Sequence, residues 1–144
     1  MKSKLFLLLL PLLLLVSGCA VRESLQIEGE DWQLKLIQSN ADGSILARGP
    51  GREAYADVPE AEVSCRAEKG KIIIKDAADV FSAEGMYYLQ QKQQDSAIYR
   101  LRLDGEESLA GLSFTSYADG SREKTLVIRR EAYSIYFTAS AESN

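Results

Sequence analysis

The chain has 144 residues, with 17 lysines and arginines against 21 aspartates and glutamates, and it contains no histidine. A net charge of −4 argues against nucleic acid as the main partner. Without histidine the usual general base, nucleophile activator and metal ligand are missing, so Ser-His-Asp and Cys-His mechanisms are excluded.

At the start of the chain Lys2 and Lys4 precede an apolar run from Leu5 to Val16, followed by the small residues Ser17 and Gly18. This is the layout of an export signal. As a helix, the twelve residues from Leu5 to Val16 would rise only about 18 Å against a hydrocarbon layer of about 30 Å, which disfavours a permanent span.

The stretch Leu15-Val16-Ser17-Gly18-Cys19 resembles the lipobox of bacterial lipoproteins. The resemblance implies a diacylglycerol thioether on Cys19, cleavage just before it, and acylation of the new amino terminus. Three acyl chains, palmitate or its like, would hold the protein on a membrane essentially permanently. In Gram-negative members of this class a residue other than Asp after the cysteine goes with sorting to the outer membrane, and here that residue is Ala20. The implied address is the periplasmic face of the outer membrane. The alternative is an ordinary secretory signal with a chance cysteine.

Residues 1–18 are therefore read as a lipoprotein signal peptide, 19–31 as a lipidated cysteine and flexible tether, and 32–144 as one domain. Losing 18 of the 144 residues leaves 126, enough for a single modest core, and losing Lys2 and Lys4 leaves 15 basic groups against 21 acidic ones. The mature charge is then −6. With Cys19 alkylated, Cys65 has no partner in the chain, and its alternation with Val63 and Ala67 reads as a small buried hydrophobe.

Val21 to Asp31 is polar and acidic, as a tether would be. From Trp32 the dominant period is two. Trp32-Gln33-Leu34-Lys35-Leu36 alternates large apolar with polar residues and predicts a strand, Asn40 to Gly43 a turn, and Ser44 to Arg48 a returning strand. Gly49 to Pro59 is a loop by composition. Glu62 to Glu68 and Lys71 to Lys75 flank Lys69-Gly70 at hairpin spacing. Asp76 to Gly85 predicts a short helix, with Asp76 as N-cap and Gly85 just past its end.

The remaining chain reads as strands over Met86 to Gln93, Ala97 to Leu103, Leu109 to Tyr117, Glu123 to Arg130 and Tyr133 to Ala139, with Asp104-Gly105 and Asp119-Gly120 at two reversals. The expected fold is mainly β: an antiparallel up-and-down meander forming a small barrel or sandwich, with at most one short helix.

Gly29-Glu30-Asp31-Trp32 at the head of this meander is similar to the Gly-x-Trp start of lipocalin-like barrels, with one extra residue in the spacing. That resemblance implies a binder of a small apolar ligand, with Trp32, Tyr87, Tyr99 and Phe114 as candidate cavity residues. Core packing is the plainer reading of the same aromatics. Asp57, Glu60 and Glu62, and separately Asp104, Glu106 and Glu107, are the carboxylate groups that a glycan hydrolase would need, and turns gather acidic residues anyway. Arg100, Arg102, Arg129 and Arg130 could form a cross-strand basic stripe reaching an acidic partner, and solvated arginines on a sheet face are the plainer reading of the same residues. The expected protein is thus non-catalytic, without metal or cofactor, anchored by Cys19, and engaged with an envelope protein.

Overall fold

The computed structural model describes residues 25–140; the segment read as an export signal and the expected lipidation site Cys19 lie outside them. Nine strands among these residues form one antiparallel sheet: β1 (Trp32–Ser39), β2 (Ile45–Arg48), β3 (Val63–Glu68), β4 (Lys71–Asp76), β5 (Ala83–Lys92), β6 (Ser96–Leu103), β7 (Glu106–Ser116), β8 (Arg122–Arg129) and β9 (Tyr133–Ser140). Eight of them, β1 and β3 to β9, close into a barrel, because β9 pairs back onto β1 from Gln33↔Thr138 to Ser39↔Tyr133. Closure removes the unpaired edges that an open meander would carry. β2 is the ninth strand: β1 pairs with β3 through Trp32 and Gln33 and, further along, with β2 through Leu36 to Gln38.

The hairpin signals are realised locally. Lys69 and Gly70, at φ 49° and 80°, and Asp104 and Gly105, at φ 49° and 84°, are two-residue connections with both residues left-handed. That twist matches the right-handed twist of the flanking strands. Alternation then fills the barrel: Ile72, Ile74, Leu101, Leu103, Leu126 and Ile128 all point inward and are almost wholly buried. Each such side chain contributes about 1.5–3 kcal/mol relative to exposure.

Three expectations change. First, no helix forms over 76–85: β4 runs on to Asp76 and β5 begins at Ala83. The Asp76 carboxylate does gather backbone amides, from Ala78 at 3.1 Å and from Val80 and Phe81 at 2.9 Å, but it closes a turn with them. Asp79 at φ 57° is incompatible with a continuing right-handed helix. The one helical turn among the described residues is a 3-10 turn at Glu53–Tyr55.

Second, the alternation in β1 slips. Leu34 is opposite Phe137 but Leu36 is opposite Tyr136, so Lys35 is an extra residue in a bulge. Ile37, opposite Ile135, takes the inward place expected for Leu36, which is buried on the other face.

Third, the fold starts before Trp32. Leu25 and Ile27 are 4% and 1% exposed and belong to the core cluster, so at least residues 25–31 are part of the domain and not of the tether. They sit at the barrel end where β1 begins; the turns after β3, β5 and β7 lie at this entry end as well, and those after β1, β4, β6 and β8 lie at the far end.

Candidate functional site

At the entry end, Trp32 from β1, Tyr87 from β5 and Tyr99 from β6 converge on the segment 25–31. Trp32 Nε1 donates to the carbonyl of Ile27 at 2.9 Å. Tyr87 and Tyr99 meet edge to face, 6.0 Å between ring centroids. The Tyr87 hydroxyl donates to the Glu28 carboxylate and accepts from the Gly70 amide at 3.2 Å. Burial pushes the Tyr99 hydroxyl above its ordinary pKa; a hydrogen bond with the Ile27 backbone opposes this, and the charge of Glu28 adds to it. A buried phenol keeps its proton here, as packing would have it.

Beside them the ammonium of Lys124, itself 5% exposed, pairs with the Glu30 carboxylate. Sequence reading missed this pair, although a signal was present: Lys124 shares its phase with Leu126 and Ile128, so alternation alone places a cation among inward residues. Phe114 is not part of the group. It is half-buried on β7 opposite Lys124, and the Arg122 guanidinium covers its ring at 4.1 Å from the centroid. Of the four candidate cavity residues, three are together, and what they enclose is the protein's own backbone.

The outer face offers different chemistry. Ile73, Met86, Tyr88, Ile98 and Leu109 are exposed large hydrophobics on β4 to β7. Between Ile98 and Val127, Gly111 leaves bare backbone. The four arginines of the predicted stripe run beside these residues. Arg100 pairs with Glu107 at 3.3 Å and Arg130 with Glu106 at 3.2 Å. Arg102 and Arg129 make no ion pair among the described residues. Arg100, Arg129 and Arg130 line an open depression of about 550 Å³ together with Leu109, Gln90 and Glu107.

Four of the six candidate carboxylates are engaged in ion pairs or a backbone hydrogen bond. Glu60 pairs with Arg48 at 2.8 Å, Asp104 accepts from the Glu84 amide at 3.2 Å, and Glu106 and Glu107 are held by the arginines above. Cys65 is buried on β3, and burial alone pushes its thiol up to about 12, far from a reactive thiolate. Comparisons with protein-family models, with curated proteins and with solved structures find no match.

Proposed function

We propose that the protein is a non-catalytic envelope lipoprotein, anchored through acylated Cys19 on the periplasmic side of the outer membrane, that works by offering the outer face of its barrel to another protein. The observation that carries the reading is the division between inside and outside. Inside, Trp32, Tyr87 and Tyr99 are occupied by segment 25–31, and a small apolar ligand would have to displace that segment. Outside, apolar side chains stand beside Arg102 and Arg129, whose charges have no ion-pair partner among the described residues. Methionine and arginine beside aliphatic side chains on one face are a composition that protein contacts favour.

Two measurements test this. Metabolic labelling with a fatty acid should mark the wild-type protein and not Cys19→Ser; label retained by that variant refutes the anchor. Cross-linking in intact envelopes should join the wild-type chain to a protein, and Arg102→Glu with Arg129→Glu should lose that product. If the charge-reversed chain is captured equally, the outer face is not the contact.

A further inference from the structure

We infer that the entry end of the barrel rests on the lipid surface that holds Cys19, with Tyr88, Leu89 and Tyr117 in the headgroup region. The inference rests on the lipid-anchor reading and adds an orientation to it. Its starting point is the burial of Leu25 and Ile27 in the core. Only the five residues 20–24 then separate Cys19 from the fold, and at about 3.6 Å per residue the six steps from Cys19 to Leu25 reach at most about 22 Å. Such a link holds the entry end within about 22 Å of the bilayer and favours it over the far end, about 26 Å further along an eight-residue strand.

The entry end is also shaped for that neighbour. Lys71 opposite Met86 is the last β4 pairing of β5, so from Tyr88 onward β5 is flanked by β6 alone and the hairpin projects from the wall. On it, Tyr88 is 55% and Leu89 54% exposed, and Tyr117, in the turn after β7 at the same end, is 44% exposed. Leu89 is opposite the inward Tyr99, so its exposure follows from β4 ending short of it. Tyrosine and leucine at a rim suit the lipid interface, where an apolar body and a polar tip both find partners.

Charge at this end is mixed. Lys69, Lys71, Lys92 and Arg122 stand with Glu28, Glu68, Asp95 and Asp119, while Arg66 pairs with Asp31 and Lys124 with Glu30. Contact is therefore apolar and aromatic, and independent of anionic headgroups.

The test uses the full mature lipoprotein in vesicles of phosphatidylethanolamine and phosphatidylglycerol. Leu89→Cys, Tyr117→Cys and, at the far end, Asp42→Cys each receive a fluorescent label; native Cys65 is buried and stays unlabelled. A quencher carried just below the headgroups should dim positions 89 and 117 several-fold more than position 42, in phosphatidylcholine vesicles as well. Equal quenching at all three overturns the orientation. Protection of position 89 in native envelopes alone, with no lipid quenching, overturns it in favour of a protein at the rim. Mass spectrometry and flotation of the same sample separate the two readings. A triacylated protein that floats yet quenches evenly refutes the orientation only, whereas an unacylated protein that stays in the aqueous phase refutes the anchor and the orientation with it.

Discussion

Ser108 and Asp76 are two polar residues inside an apolar wall, and their environments predict opposite responses to mutation. Ser108 shares the inward phase of Ala110 and Leu112, is 7% exposed, and its hydroxyl has no hydrogen-bond partner. A buried hydroxyl without a partner keeps its desolvation cost and gains nothing for it. Ser108→Ala should leave stability unchanged or raise it by up to about 1 kcal/mol in urea unfolding; a comparable loss would show that the hydroxyl is bonded after all. Asp76 is also buried, but burial, which raises its pKa, is outweighed by three backbone amides that hold it below the ordinary value of 3.8. Because the folded pKa lies below the unfolded one, the stabilisation is complete above the ordinary value and is lost as the pH falls through the folded one. Asp76→Asn keeps one acceptor and should cost about 1–3 kcal/mol at pH 7. Unfolding followed from pH 7 to pH 3 should then show the variant losing less stability than the wild type on acidification, and parallel curves would remove the carboxylate from this role.

At the level of strands, period-two alternation located all nine elements within a few residues, because a barrel with one wet and one dry face imposes that period on every strand. Alternation does not register a bulge. The extra residue at Lys35 exchanges the places of Leu36 and Ile37, and both are apolar, so either phase fits the sequence. The turn at Asp76 was misread for a related reason, since the same carboxylate chemistry caps helices and closes turns. The candidate site was half legible: the inward tyrosines follow from phase, but what fills the space between them is a tertiary fact. Two strand glycines make the element scale testable. Gly85 points inward where β5 leaves β4 behind, and a Cβ there would lie 1.7 Å from the carbonyl oxygen of Arg102. Gly111 faces outward with nothing within 4 Å of the same position. Gly85→Ala should cost about 1–3 kcal/mol or more, as overpacking does, whereas Gly111→Ala should be neutral or gain up to about 1 kcal/mol from lower unfolded-state entropy. Equal effects in chemical unfolding would mean that the backbone at Gly85 yields freely.

For the molecule as a whole, the segment before β1 joins two matters that the sequence presents separately, how the barrel is plugged and where a tether would end, and the proposed orientation on a membrane depends on both. A closed sheet of eight strands has an interior that its own side chains can fill and two mouths to be covered. At the far end Phe81 packs edge to face on Tyr133, 5.2 Å between centroids. At the entry end the same need is met by chain that precedes the sheet, with Leu25 and Ile27 inserted, Trp32 bonded to the Ile27 carbonyl, and Glu28 and Glu30 bonded to Tyr87 and Lys124. If this segment were a tether, truncating its side chains would cost nothing. As a plug it should behave like core: Ile27→Ala, at 1% exposure, is expected to cost about 2–5 kcal/mol, while exposed Gln26→Ala should stay within about 0.5 kcal/mol of the wild type. Urea midpoints of the two variants decide the matter. A native-like midpoint for Ile27→Ala would detach the segment from the fold and remove the ground for a short link between the barrel and Cys19; a large loss confined to Ile27 would make the segment core and keep the proposed link short.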